Sequence, residues 1–116
     1  MATISNFEFE TIPNNVLHPM HIKLDKIKPF VNTCVVTGGC ENVNIEVEYI
    51  PGDKLLEVVN FRENFNREFN ESMEKMCEKV FDAFMRDVEP RWLKVTIFLD
   101  EVRLTPWHVT ICSDDL

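Results

Sequence analysis

Cations are in short supply in this chain: 12 Lys and Arg stand against 20 Asp and Glu among 116 residues, a formal net charge of −8. Phosphate binding is driven mainly by basic side chains, so this balance counts against a nucleic acid or an anionic membrane as the main partner. Long apolar runs are missing too. No segment approaches the roughly 18 consecutive apolar residues of a membrane span, and residues 1–6 carry neither the basic nor the apolar part of a signal peptide, which points to the cytoplasm. Glycine is nearly absent, with 3 residues, and the four cysteines, Cys34, Cys40, Cys77 and Cys112, show no CxxC spacing. In a chain that is 45% hydrophobic this is unlike a disulfide-dense secreted scaffold, so free thiols are expected. His18, His21 and His108 are too dispersed to hold a metal, and none is expected. At 13.6 kDa, folding hides roughly two-thirds of the chain's area, enough for one core and one domain spanning residues 1–116. There is little room for a deep private active site, and a chain of this size that does chemistry often borrows a wall from a neighbouring subunit.

What is present is a strong hydrophobic pattern. Residues 1–30 mix polar and apolar positions without a period and contain Pro13-Asn14-Asn15 and His18-Pro19, so they read as an irregular arm or edge strand. Val43, Ile45, Val47 and Tyr49 then alternate with Asn44, Glu46 and Glu48, which gives a strand with one apolar and one charged face. Pro51-Gly52-Asp53 makes a turn, and Leu55 to Phe61 reads as the returning strand of a hairpin. Phe65, Phe69, Met73, Met76, Cys77, Val80, Phe81, Phe84, Met85 and Val88 follow one helical face, and predict a long amphipathic helix from Asn66 or Asn70 to Val88, stopped by Glu89-Pro90. After it, the alternations Leu93 to Leu99 and Trp107 to Ile111 form a second hairpin. The fold class is therefore α+β: a four-stranded antiparallel sheet with the long helix packed on one face.

Two of the three glycines lie together in Thr33-Cys34-Val35-Val36-Thr37-Gly38-Gly39-Cys40-Glu41. Adjacent glycines in so glycine-poor a chain mark a tight turn or a close approach. One reading is a turn entering a strand, with Cys34 and Cys40 as small buried hydrophobes. The other is a loop presenting a thiol nucleophile, with a carboxyl group seven residues on to protonate the atom that becomes negative. No Lys, Arg or His stands beside Cys34 in sequence to lower the thiol pKa.

The run Cys34-Val35-Val36-Thr37-Gly38-Gly39-Cys40-Glu41, followed by a strand ending Tyr49-Ile50-Pro51, then Leu56-Glu57 and later Glu89-Pro90-Arg91-Trp92-Leu93-Lys94-Val95, resembles the QueF family of 7-cyano-7-deazaguanine reductases, which have the tunnelling fold (T-fold). The order and spacing from Cys34 to Glu57 are kept without a gap, and the resemblance covers about residues 30–112. It implies that Cys34 attacks the nitrile carbon of the deazapurine to give a thioimide, with Glu41, where the family usually has Asp, as proton donor. It also places Phe69-Asn70-Glu71 where the family has Phe-His-Glu, making Glu71 and Asn70 substrate-binding residues, and Glu57 opens the family's signature segment. A carboxylate at Glu71 suits the amide N–H and exocyclic amine of a purine because it offers two acceptors to two parallel donors.

In the reductases NADPH delivers hydride twice, and the signature segment carries two lysines. Here it reads Glu57-Val58-Val59-Asn60-Phe61-Arg62-Glu63-Asn64-Phe65, where only Arg62 retains a cation for cofactor binding, and Arg103-Leu104-Thr105 replaces an expected Arg-Gly-Gly. These losses resemble the QueF-like branch, archaeosine-type amidinotransferases in which an amine or ammonia adds to the thioimide and no NADPH is used. Reduction and amidine formation both stay open at this point, as do the free base and the same base within tRNA or another polynucleotide; Lys23, Lys26, Lys28 and Arg91 offer a local basic face. An alternative of a different class is a non-catalytic purine-binding or assembly module. Tunnelling-fold sheets join edge to edge into closed barrels, so the resemblance implies a homo-oligomer with sites at subunit boundaries.

Overall fold

The alternation from Val43 to Tyr49 becomes the central strand of the molecule in the computed structural model, which describes residues 7–27, 30–33, 38, 40–99 and 106–114, with the backbone alone at residues 30, 33, 40 and 41. In chain order the elements are β1 (Thr11–Pro13), β2 (Ile22–Leu24), β3 (Phe30–Thr33), β4 (Cys40–Ile50), β5 (Lys54–Leu56), α1 (Val58–Glu63), α2 (Met73–Val88), β6 (Trp92–Leu99) and β7 (Trp107–Cys112). Antiparallel pairing joins β2, β4, β6 and β7 in that order, and β3 pairs with the other end of β4. The main sheet thus has five strands rather than the four expected. The expected return strand from Leu55 is absent from this sheet, and two segments ahead of β4 pair with it instead, β2 from the arm and β3 from the residues just after it.

The apolar face of β4 (Val43, Ile45, Val47, Tyr49) and that of β6 (Leu93, Val95, Ile97, Leu99) are both buried under α2. Asn44, Glu46 and Glu48 are half-exposed on the opposite face, as period-2 alternation requires. The helix contributes Met73, Met76, Cys77, Val80, Ala83, Phe84 and Val88 to this core. It starts at Met73, later than either asparagine predicted. Ser72 is the N-cap, its Oγ accepting from Lys75 N at 3.1 Å, and α2 is about 24 Å long at ~1.5 Å per residue. The earlier apolar positions of the stripe, Phe65 and Phe69, are buried without being helical because Phe69 N donates to Val31 O at 3.1 Å, tying this segment to β3.

The expected return strand from Leu55 to Phe61 is corrected in two ways. Only Lys54–Leu56 is extended, and it pairs with β1 rather than β4, in the register Thr11↔Leu56 and Pro13↔Lys54. Val58–Glu63 is a helix despite its β-branched valines. Glu57 caps it, accepting from Val59 N at 2.9 Å and Asn60 N at 3.0 Å, and a cap of this kind overrides a weak strand propensity.

The arm is less featureless than its sequence suggests. Phe7 and Phe9 are buried against Phe65 (5.2 Å between centroids), Phe69 (5.7 Å), Phe61 (5.0 Å) and Phe84 (5.9 Å). Asp87 and Arg86 hold this strand of chain in place: Phe9 N donates to Asp87 at 2.9 Å, and Arg86 donates to Phe7 O. Arg86 also donates to both oxygens of the Asp87 carboxylate, at 2.8 Å each, and these bonds, with that from Phe9 N, keep the Asp87 carboxyl below its ordinary pKa.

Tyr49 links the sheet to β5, its buried hydroxyl accepting from Leu56 N at 3.1 Å. Burial pushes the phenol pKa up. Tyr49→Phe strands the Leu56 N–H, so urea unfolding is expected to show a loss of about 1–2 kcal/mol; an unchanged midpoint would show that this hydrogen bond contributes nothing net.

Candidate functional site

The strand that leads to Cys34 is where the candidate residues converge. Cys34 itself lies outside the described residues, as do Gly39, Lys28 and Arg103-Leu104-Thr105, but β3 ends one residue before it. On β3, Asn32 is fully buried and works as a clamp. Its amide Nδ2 donates to Glu71 O at 3.0 Å, while its Oδ1 accepts from Glu71 N at 3.1 Å. Both polar ends of the amide are thus matched to one residue's backbone, in the manner of a ladder pair, and a parallel bridge between Asn32 and Phe69 extends the contact. On its other side Asn32 stands opposite Glu41 in the β3–β4 register. The backbone therefore brings Glu41 and Glu71, more than two dozen positions apart in sequence, to either side of the same residue two positions ahead of Cys34. Neither Asn32 nor its role is visible in motif spacing: it stands in the short strand Phe30-Val31-Asn32-Thr33, where two polar residues follow two apolar ones.

The Glu71 carboxylate is about one-fifth exposed and forms an ion pair with Lys79, from the second turn of α2. Lys75, one turn earlier, feels the Glu71 charge too, although its pKa is raised chiefly by the hydrogen bond to Glu78. Asn70 is exposed beside them. The core beneath this segment is aromatic. Phe69 stacks with Phe7, and the Arg67 guanidinium lies over both rings, 5.2 Å and 5.3 Å from their centroids.

The other predicted site residues are placed elsewhere. Glu57 spends its carboxylate on the first turn of α1 and donates its own N–H to Glu10 O, so it acts as a helix cap. Arg62 is exposed on the same short helix. Gly38 adopts φ +76°, a left-handed conformation that a side chain would strain, so one glycine of the pair is required by the turn into β4.

Two cysteines can be compared as nucleophiles. Burial pushes the Cys77 thiol up to about 12, and it faces the carbonyls of Val95 and Val109 within the core, so it is inert. Cys112 is partly buried and donates to Asp114 Oδ1 at 2.7 Å. Cys40 is described by its backbone alone. Of the basic residues, Lys23 lies within 4 Å of Asp25 and Glu46 and Lys26 sits over the Phe98 ring, while Arg91 belongs to the far end of the sheet beside Gly52. No group of three or more His, Cys, Asp or Glu side chains assembles a metal site among the described residues. No described helix is long and apolar enough to cross a membrane.

Neither a family model nor a curated protein sequence matches this chain. Its fold, by contrast, has relatives among solved structures. An archaeosine synthase QueF-Like, solved in the apo form, superposes with a TM-score of 0.69 over 84% of this chain and 95% of its own length, at 18% sequence identity. The mixed α+β architecture, with antiparallel strands under one long helix, is the fold of that enzyme.

Proposed function

We propose that the chain is a deazapurine-processing enzyme of the QueF-like kind, which converts the nitrile of 7-cyano-7-deazaguanine, free or within a polynucleotide, into an amidine through a thioimide on Cys34. The observation that carries this reading is the placement of the Glu71 and Glu41 backbones on either side of Asn32, on the strand that runs into Cys34. In this reading the Cys34 thiolate adds to the nitrile carbon and Glu41 delivers a proton to nitrogen, leaving a C=N–H group bonded to sulfur. Ammonia or an amine then adds to the same carbon, the C–S bond breaks, and the thiolate leaves with its electron pair. Nothing is oxidised or reduced. Glu71 holds the edge of the base carrying the amide N–H and exocyclic amine, and Asn70 lies beside it.

Amidine formation is preferred over reduction on charge. A triply anionic cofactor end needs more than one cation, and the segment from Glu57 to Glu63 offers Arg62 alone, with Glu63 next to it and the Glu57 carboxylate turned to capping. These residues do not fit NADPH. Similarity of fold to an archaeosine synthase supports the same choice. The site is shared between copies in a homo-oligomer, consistent with a small chain and with β2, β3 and β7 as outer strands of the described sheet.

The test supplies 7-cyano-7-deazaguanine, as free base and within tRNA, with ammonium in one reaction and NADPH in another. The expected product is heavier than the nitrile by one ammonia and forms without NADPH. A product heavier by four hydrogens, with NADPH consumed, would overturn the choice in favour of reduction; reversible binding with no product would favour the purine-binding module.

A further inference from the structure

The ion pair between Glu71 and Lys79 suggests how the base-reading carboxylate is aimed. We propose that Lys79 is the positioning residue that fixes the Glu71 carboxylate for a purine's paired N–H donors, and thereby sets the preference for a base bearing an exocyclic amine. This rests on the reading of Glu71 as substrate anchor.

Glu71 is held at both ends. Its backbone N–H and C=O are bound to the buried Asn32 amide, so its Cα has no freedom to shift along β3. Its side chain, though, has three rotatable bonds, and a free glutamate would lose that freedom each time a base bound. Lys79 takes Oε2 alone and leaves Oε1 and the remaining lone pairs for a ligand. The two side chains are about 21% and 25% exposed, so the pair is screened less than one at the open surface. Lys75, the other cation near this carboxylate, is already paired with Glu78 at 2.7 Å and is more than half exposed, which leaves Lys79 as its direct partner among the described residues. Fixing one rotamer-rich side chain in advance is worth about 3- to 10-fold in affinity, all of it directed at the group that the carboxylate binds.

The measurement uses probes that lack the nitrile and so cannot react: 7-deazaguanine, and 7-deazahypoxanthine, which differs by the missing exocyclic amine. Calorimetric titration of each into the wild type should show 7-deazaguanine bound more tightly. Glu71→Gln should abolish that ratio, Lys79→Gln should reduce it by about 3- to 10-fold, and Lys79→Arg should keep most of it. General loosening of the fold would weaken both ligands alike and leave the ratio unchanged, so a loss of affinity in Lys79→Gln at constant ratio overturns the proposal. If Glu71→Gln abolishes the ratio while Lys79→Gln preserves it, the anchor stands and the role of Lys79 is refuted. If Glu71→Gln leaves the ratio unchanged, the anchor reading itself fails.

Discussion

Cys34→Ala is expected to lower the rate of amidine formation by at least about 10³-fold while leaving the fold and the binding of 7-deazaguanine in place. The size follows from the kind of residue removed. In the proposed chemistry the thiolate makes the bond that activates the nitrile; of the two thiols whose side chains are described, Cys77 is pushed up to about 12 inside the core and Cys112 donates to Asp114. Glu41→Gln should cost less, about 10²-fold, because water or another donor can deliver a proton whereas nothing else supplies the nucleophile. A small effect of Cys34→Ala alongside a large one of Glu41→Gln would reverse the roles and would point to direct addition of the amine to the nitrile.

Phe84→Ala should produce the largest loss of stability, about 3–5 kcal/mol, seen as a fall of roughly 12–20 °C in thermal midpoint. Phe84 is fully buried on α2, with the rings of Tyr49, Phe9 and Phe61 at 5.0, 5.9 and 6.4 Å. It is therefore where the sheet, the arm and α1 meet the long helix, and truncation opens a cavity touching all four. A loss near 1 kcal/mol would mean that the arm and α1 collapse into the space. Because the arm is fixed by this ring and by the Asp87–Phe9 hydrogen bond, limited proteolysis of the variant should cut first within the N-terminal residues.

These two residues also show how the sequence could and could not be read. Phe84 lies on a stripe of seven buried helical positions, and that stripe, like the alternation in β4 and β6, is a local period that burial on one face forces on the sequence. Whatever depended on long-range pairing was harder to see. The strand predicted from Leu55 to Phe61 divides into β5 and α1 because Glu57 bonds forward to Val59 and Asn60 and Leu56 pairs with Thr11 in the arm, forty-five residues away. Phe7 and Phe9 show no period because a lone extended segment lying across an aromatic cluster has no face to repeat.

The candidate site divides along the same line. Cys34, Glu41 and Glu71 stand out through motif order, and Glu57 through the same motif, yet the structure gives Glu57 to a helix cap. Asn32 and Lys79 carry no motif. They matter because folding places a buried amide and a helical lysine on the same glutamate, a relation between positions thirty-nine and eight residues apart. Charge has a similar history. The total of −8 is less informative than the scarcity of cations from Glu57 to Glu63, on which the proposed choice of amidine formation over reduction rests.

Intact-protein mass spectrometry after mixing with 7-cyano-7-deazaguanine, without an amine donor, tests the covalent step most directly. A nitrile adds without losing atoms, so the wild-type protein should gain the full mass of the ligand and Cys34→Ala should gain nothing. No adduct on the wild type, or an equal adduct on the variant, would contradict the assignment of Cys34 as nucleophile and with it the proposed chemistry.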